Sequence, residues 1–343
     1  MIDMGSLLTM QGMMFLMILI GAGLRKIQIV SSEGRRSLTN LVVNLILPCN
    51  ILYAFSNGDA SAFRSMIVVA AMAFMIQLVW YLLSKVLWRK MDKSRQGVMR
   101  YAFQFSNCGY LGNPVIEGLY GAPGLMYASV FLLPVRLFMW SVGLECFQEG
   151  GGSIGKTVKR ALTHPCVLAT ILGLVWMFFP VKLPDFLYNT ISGFNQCLTP
   201  VTMLVIGFIM AETDLRKMFC RDLFVITALR LLVQPMLVLA VCRLLNLETL
   251  VAEVVTVLVS MPVANTTALL ASQHDCDYAF ASNVVVFTTL VSMITIPMYS
   301  LLVGAVFGYA CRSCCFVIRC AETKSRKSCG ISEIKQSKRR ERL

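Results

Sequence analysis

The chain has 343 residues, of which 57% are hydrophobic and 14% are charged, whereas about 25% of the residues of an average soluble domain are charged. This composition excludes a soluble protein with a single core, because a sphere of this size cannot bury so many apolar side chains. The net charge is +13. The basic residues form no face with interleaved aromatic residues, so no nucleic-acid partner is expected.

Ten apolar runs follow one another along the chain, each near the length that crosses a hydrocarbon core of about 30 Å. The first run should remain as a helix rather than be cleaved as a signal peptide, because Asp3 precedes it and Arg25 and Lys26 follow it. The sequence therefore predicts an all-α polytopic membrane protein with ten transmembrane spans in a lipid bilayer. The runs are 6–24, 37–56, 65–88, 99–119, 124–147, 165–181, 184–211, 223–245, 250–272 and 279–309.

Positive charge is distributed unevenly between the loops. Sixteen Lys and Arg residues lie in odd-numbered loops and three in even-numbered loops. Because cytoplasmic loops carry the excess of Lys and Arg, we predict a cell-membrane protein whose odd-numbered loops are cytoplasmic and whose two termini lie outside. The tail from Arg312 opposes this topology, since it carries ten Lys or Arg residues. Either the first helices set the orientation, or the count is wrong by one span.

Prolines inside the apolar runs indicate an internal repeat. Pro48 and Pro114 lie 66 residues apart in spans two and four, and Pro200 and Pro262 lie 62 residues apart in spans seven and nine. The pair recurs five spans later, and because five is odd, the second half is inverted relative to the first. The predicted domains are the first five-helix repeat 1–147, a cytoplasmic linker 148–164, the second repeat 165–309 and a basic Cys-rich tail 310–343.

Spans four and nine are expected to break and to cross. A proline within a membrane helix is tolerated where a cavity or neighbouring protein satisfies the freed backbone groups. In span four, Gly109 and Gly112 permit unwinding; Asn113 can cap a new half-helix, and Pro114 suits its first turn. Each break exposes N–H groups with positive partial charge and carbonyls with negative partial charge. An anion can bind the former and a cation the latter.

Four segments carry a family resemblance: Asn107-Cys-Gly-Tyr-Leu-Gly-Asn-Pro114, Leu119-Tyr-Gly121, Met261-Pro262 and Leu269-Leu-Ala271. They resemble the auxin efflux carrier family, which includes plant PIN-type carriers and bacterial malonate and malate permeases. The resemblance implies an elevator-type transporter with a scaffold of spans one, two, six and seven, a transport domain of the other six spans, and a homodimer. The short loop after span five resembles the smaller, bacterial-type members and makes auxin an unexpected substrate.

The resemblance places the substrate where the broken helices cross, and the ionisable residues within the spans add further candidates, because charge at this depth is costly. Arg136 could bind an anionic carboxylate or pair with Glu117 or Glu145, and Arg230 is expected to form an internal ion pair. The candidate substrate ligands are Asn107, Asn113, Pro114, Pro262, Asn265, Thr266 and Arg136. The candidates for ion or proton coupling are Glu117, Gln104 and Thr267.

The predicted function is secondary active transport, as a permease or efflux carrier, of a small organic anion such as a mono- or dicarboxylate. The alternative is a membrane sensor or channel built on the same bundle. An enzyme is not expected, since no metalloprotease motif or paired catalytic aspartates occur. No cofactor or metal is expected apart from a coupling ion, H⁺ or Na⁺, of a symporter. Residues 150–157 match the phosphate-loop pattern, but that motif needs a preceding strand.

Overall fold

The computed structural model describes residues 4–56, 60–147, 163–179, 183–212, 220–274 and 276–307. Within these ranges the regular structure is helical, apart from an isolated antiparallel bridge between Ser106 and Val263. The predicted tail 310–343 and the predicted linker as far as residue 162 lie outside the described residues.

Each of the ten apolar runs contains helix. Six helical segments of the described ranges are long and apolar enough to cross a bilayer: Ser32–Ser56, Phe63–Leu87, Cys108–Cys146, Asp185–Ala211, Arg221–Leu244 and Tyr278–Phe307. Two shorter apolar helices are Pro165–Phe178 and Thr249–Val259. The chain is therefore an all-helical polytopic membrane protein. The helices are α1 Met4–Lys26, α2 Ser32–Ser56, α3 Phe63–Leu87, α4 Lys93–Gln104, α5 Asn113–Trp140, α6 Pro165–Phe178, α7 Asp185–Ala211, α8 Arg221–Leu244, α9 Thr249–Val259, α10 Thr266–Gln273 and α11 Tyr278–Phe307.

Three short π-helical segments each end two residues before a proline. A proline has no N–H group, and its ring clashes with the carbonyl four residues earlier. The wider π-helical turn accommodates this clash, so α2 and α8 continue through their prolines. The pairs are Val42–Ile46 with Pro48, Cys108–Gly112 with Pro114, and Leu229–Val233 with Pro235.

Helix α5 contains a sharp change of direction between the runs predicted as spans four and five. Gly121 lies within it at φ 64° and ψ −158°, outside the helical region. Only glycine adopts this left-handed backbone geometry without strain. The change of direction falls between the predicted runs 99–119 and 124–147.

The helices pack as two groups. In the first, the scaffold group, α1 packs along α7, and α2 packs on both α6 and α7. In the second, the crossing group, α5 packs on α3 and α9, and α4 packs on α3, α8 and α10. Helix α11 joins the crossing group, because the Tyr299 hydroxyl donates to the Leu232 carbonyl at 2.9 Å. Contacts between the groups include those of α2 and α6 with α5, and those of α7 with the segment Cys108–Gly112. Helix α1 also lies against the crossing group, because it lines one cavity together with α11.

Helices α1 and α7 approach each other closely at two glycines. A Cβ atom added to Gly21 would lie 2.5 Å from the Leu204 carbonyl oxygen, and one added to Gly207 would lie 2.2 Å from the Ile18 carbonyl oxygen. These are backbone atoms that cannot rotate away. Close backbone contact through small residues is the usual way that membrane helices associate, so the two glycines hold the scaffold group together.

Ion pairs connect loops that are far apart in sequence. Arg25, at the end of α1, pairs with Glu212, after α7, at 2.9 Å. Arg95, at the start of α4, pairs with Asp277, before α11, at 3.0 Å. Exposed ion pairs add little stability, but these two show that loop one lies beside loop seven and loop three beside loop nine.

Candidate functional site

Two extended stretches, residues 105–107 and 262–264, interrupt helices and lie side by side. The Asn107 N–H donates to the Pro262 carbonyl at 2.7 Å, and the Ala264 N–H donates to the Phe105 carbonyl at 3.1 Å. Irregular backbone at membrane depth needs partners within the protein. The two breaks thus satisfy each other's peptide groups.

The first break lies earlier than the sequence predicted. Helix α4 ends at Gln104, and Gly109 and Gly112 lie in the π-helical segment after the break. Asn113 has helical angles, φ −59° and ψ −50°, so the prediction that the glycines unwind and Asn113 caps a half-helix is wrong. Gly112 instead allows close packing, because a Cβ atom there would lie 2.9 Å from Cδ2 of Leu258.

The second break coincides with its predicted position. Helix α9 ends at Val259 and α10 begins at Thr266, so Pro262 lies within the break. Asn265 immediately precedes α10, and its side chain makes no capping hydrogen bond. The Thr266 hydroxyl lies 3.0 Å from the Tyr101 hydroxyl, which joins α10 to α4.

Several buried polar atoms near the two breaks have no hydrogen-bond partner among the described residues. Buried polar groups in native proteins are nearly always bonded, so each exception requires an explanation. A bound polar ligand would supply the missing partners. These atoms are both amide atoms of Gln104, Nδ2 of Asn107, Oδ1 of Asn113, Nη1 of Arg136 and Oγ1 of Thr267.

Arg136 brings a buried positive charge to the first break. The side chain is 7% exposed, and Nη2 lies 4.0 Å from the Cβ position of Gly109, in the first turn of the π-helical segment. The predicted alternative, a pair with Glu117 or Glu145, is absent within the described part of the chain; Glu145 accepts from the Tyr81 hydroxyl at 3.2 Å instead. A guanidinium buried without a counter-charge favours an anionic ligand.

His164 lies near Arg136 but adds no second charge. Its Nδ1 accepts from the Cys166 N–H at 3.3 Å and so caps the start of α6. Burial lowers the pKa of His164 to about 4, with a smaller contribution from the positive charge of Arg136. The imidazole is therefore neutral at neutral pH.

Glu117 lies in a cluster of amide side chains. Its carboxylate accepts from Nδ2 of Asn195 at 2.8 Å and from Nδ2 of Asn50 at 3.0 Å. The Asn50 side chain also donates to Oδ1 of Asn195 at 2.6 Å and accepts from Nδ2 of Asn113 at 3.3 Å. This amide cluster joins α5 of the crossing group to α2 and α7 of the scaffold group.

Sequence reasoning did not identify two members of this amide cluster, Asn50 and Asn195. A signal was present, because Asn50 lies two residues after Pro48 and Asn195 lies five residues before Pro200. These are the two prolines that mark the paired spans two and seven. A polar residue near the same proline in each repeat could have been recognised as part of the site.

Within the described ranges, Arg230 has carbonyl and amide partners and no carboxylate partner, whereas the sequence predicted an internal ion pair. Its Nη1 donates to the Phe103 carbonyl at 3.2 Å and its Nε to the Met261 carbonyl at 3.4 Å. Gln234 donates to the same Phe103 carbonyl at 2.8 Å and accepts from Arg230. The ion-pair prediction is wrong because the carbonyls at the ends of the two half-helices supply the negative partial charge instead.

Comparison with known proteins places these features in a family. The chain matches the family model described as "Membrane transport protein" over residues 12–300, a range that includes both breaks. It is 26% identical over 304 residues to an "Uncharacterized transporter" of Methanothermobacter thermautotrophicus, covering 88% of this chain and 99% of that protein. It is 23% identical over 296 residues to an uncharacterized transporter of Methanocaldococcus jannaschii, covering 83% of this chain and 94% of that protein.

A third relative has a more specific name. The chain is 21% identical over 204 residues to a "Putative malonate transporter" of Rhizobium meliloti, covering 57% of this chain and 63% of that protein. The resemblance inferred from the two breaks is confirmed by these matches. The chain belongs to the membrane transport protein family, the auxin efflux carrier or PIN-like family of membrane transporters.

Proposed function

We propose that this protein is a secondary active transporter of a small organic anion, and that a carboxylate group of the substrate binds where the two broken helices cross. The observation that carries the proposal is the buried guanidinium of Arg136 beside the first turn after the break. The N-terminal end of a helix has free N–H groups and positive partial charge. A guanidinium and a helix N-terminus together favour an anion.

Uncharged groups complete the proposed site. The unpartnered Nδ2 of Asn107 is a hydrogen-bond donor for a carboxylate, and Asn265, Thr266 and Thr267 offer further donors. Asn113 already donates to Asn50, and its unpartnered Oδ1 can only accept, so it would bind a donor group of the substrate. Pro114 and Pro262 act through the backbone, since they fix the breaks. One relative is named for malonate, a small dianion with two carboxylates. We therefore place malonate and other small dicarboxylates first among the candidate substrates.

The packing of the helices supports an elevator mechanism within this proposal. The scaffold group consists of spans one, two, six and seven, the same spans that the family resemblance assigns to the scaffold. In this mechanism the crossing group would carry the bound substrate past the scaffold group. Helix α5 contacts α2 and α6 of the scaffold group, and α1 and α11 line a common cavity, so these are the contacts that would change during movement.

Loop contacts support ten crossings in an inverted 5+5 arrangement. The ion pairs of Arg25 and Arg95 join odd-numbered loops to each other. Ser65, after loop two, donates to Glu248, in loop eight, at 2.6 Å, which joins even-numbered loops. These contacts join odd-numbered loops to odd-numbered loops and even-numbered loops to even-numbered loops. This pattern is expected when successive spans cross the membrane in opposite directions, so that the two kinds of loop lie on opposite sides. The excess of Lys and Arg in odd-numbered loops makes that side cytoplasmic in the proposal.

Glu117 is the proposed coupling residue, with Gln104 and Thr267 as polar neighbours of the breaks. Its carboxylate accepts hydrogen bonds from Asn50 and Asn195, which belong to the scaffold group, while Glu117 itself belongs to the crossing group. A protonated carboxyl group could not accept both bonds equally, because one oxygen would carry a hydrogen. A change in the ionisation of Glu117 would therefore alter the contact between the two groups.

The proposal is tested by measuring the uptake of labelled malonate into proteoliposomes. The variant Arg136→Gln removes the positive charge, and Arg243→Gln is the matched control, because Arg243 is exposed at the end of α8. A hydrogen bond to a charged group contributes about 1.5–3 kcal/mol, so we expect affinity to fall roughly ten- to a hundredfold in Arg136→Gln. We expect saturable uptake in the wild type and in the control.

Two results would contradict the proposal. Flux that rises without saturation would indicate a channel rather than a carrier. Unchanged affinity in Arg136→Gln would show that the substrate carboxylate does not bind at the first break. Loss of folding is not expected, because this substitution removes a buried charge that has no carboxylate partner among the described residues.

A further inference from the structure

The carbonyl groups that bind Arg230 come from the C-terminal ends of two half-helices. Phe103 lies in the last turn of α4, and Met261 lies two residues beyond the end of α9. Each helix C-terminus carries a partial charge of about −0.5, so the two ends together carry about −1. The single positive charge of the guanidinium balances this sum.

Arg230 is held in place by its local backbone and by Gln234. It is 2% exposed and lies in the π-helical segment Leu229–Val233, which precedes Pro235. Gln234, four residues later, accepts from Arg230 and donates to the Phe103 carbonyl. π-Helical turns are frequent at functional sites. The arrangement fixes a cation between the two broken helices without any carboxylate among the described residues.

Carbonyl oxygens at interrupted helices are also the ligands that transporters use for coupling metal cations. In this chain, Arg230 already occupies the Phe103 and Met261 carbonyls. We propose that Arg230 is a built-in cation that takes the place of a coupling Na⁺ at the crossing, so that the protein binds and moves its substrate without Na⁺. The transport part of this inference rests on the proposed function, and the binding part rests on the geometry of Arg230 alone.

The binding part is tested by thermal unfolding of the full chain in 100 mM NaCl and in 100 mM choline chloride. We expect the wild type to unfold at the same temperature in both salts. Arg230→Ala removes the guanidinium and exposes both carbonyls, so Na⁺ should raise its Tm by about 2–4 °C relative to choline. Arg243→Ala is the matched control, and its Tm should not depend on the salt.

Two outcomes would overturn the inference: a wild type stabilised by Na⁺ over choline, or an Arg230→Ala variant that folds and shows no response to Na⁺. If Arg230→Ala does not fold, Arg230→Lys provides the second test. Lysine retains one positive charge at this position, so its Tm should be the same in the two salts. An Arg230→Lys variant stabilised by Na⁺ would show that charge at residue 230 does not replace the metal cation.

The transport part is tested by malonate uptake into proteoliposomes with either Na⁺ or choline as the external cation. We expect equal initial rates for the wild type, and a rate for Arg230→Ala that is at least about tenfold higher in Na⁺ than in choline. Wild-type uptake that requires Na⁺ would overturn this inference and leave the proposed function standing. Absence of uptake by the wild type in either salt would overturn the proposed function, and the unfolding experiment would still decide the role of Arg230.

Discussion

Replacement of Gly207 by alanine tests the close packing of α1 and α7. The added Cβ would lie 2.2 Å from the Ile18 carbonyl oxygen and 2.7 Å from the Ala22 nitrogen, and both are backbone atoms of α1. The two helices must therefore separate. Overpacking of this kind costs about 1–3 kcal/mol, while alanine gains roughly 0.5–1 kcal/mol over glycine within a helix.

The net decrease in the free energy of unfolding is about 1–2 kcal/mol, since the added Cβ meets backbone atoms of α1 that cannot rotate away. For a chain of this size, each kcal/mol changes Tm by about 2–4 °C, so we expect Gly207→Ala to lower Tm by about 2–8 °C. The assay is unfolding in detergent followed with a thiol-reactive dye. The dye reports exposure of the buried thiols of Cys108, Cys166 and Cys242.

Gly193→Ala is the matched control, because it lies on the same helix and no atom lies within 4 Å of its Cβ position. The control should keep its Tm or gain up to about 4 °C from the better helix propensity of alanine. If Gly207→Ala were as stable as Gly193→Ala, the close approach of α1 and α7 would be refuted.

Three further predictions concern the site and its surroundings. The double variant Asn107→Ala with Asn265→Ala should fold but lose carboxylate binding, and intact affinity would rule out the crossing as the binding site. Glu117→Gln should slow uptake by about tenfold or more with little change in the Kd for substrate, measured at equilibrium in detergent; unchanged uptake would exclude its coupling role. The third prediction concerns His164, whose pKa of about 4 is below the ordinary value of about 6.5. The unfolded chain therefore binds a proton that the folded chain does not, and His164 lowers stability as pH falls from about 6.5 to about 4. His164→Asn, which retains a capping acceptor, should show a smaller decrease of Tm over that range, and equal decreases would contradict the buried position of His164.

The two breaks differ in how well the sequence located them, and the position of the proline explains the difference. Pro262 lies inside its extended stretch, so it marks the second break directly. Pro114 lies beyond a π-helical segment, and its ring affects the carbonyl four residues earlier. The first break lies at residues 105–107, before the glycines that the sequence suggested, so Pro114 does not mark it directly.

The partners of the buried charges could not be predicted from the sequence. Arg136 and Arg230 are both arginines at membrane depth. Sequence alone left an ion pair open for Arg136 and predicted one for Arg230. The outcome depends on which end of a half-helix lies nearby, since the N-terminal end repels a guanidinium and the C-terminal end binds it. Arg230 lies at two C-terminal ends, whereas Arg136 lies beside an N-terminal turn, and only the three-dimensional arrangement distinguishes them.

The most direct test of carboxylate binding at the crossing is a thermal-shift measurement with malonate and other small mono- and dicarboxylates. A ligand that binds only the folded protein stabilises it by about 2.7 kcal/mol at a concentration of 100 times Kd. We predict that at least one carboxylate raises the Tm of the wild type and of Arg243→Gln by the same amount. At that concentration a ten- to hundredfold weaker affinity leaves only about 0.4–1.4 kcal/mol of stabilisation, so the Tm of Arg136→Gln should rise by no more than about half as much. A carboxylate that raises the Tm of Arg136→Gln as much as that of the wild type, or a panel without any stabilising carboxylate, would contradict the proposed site.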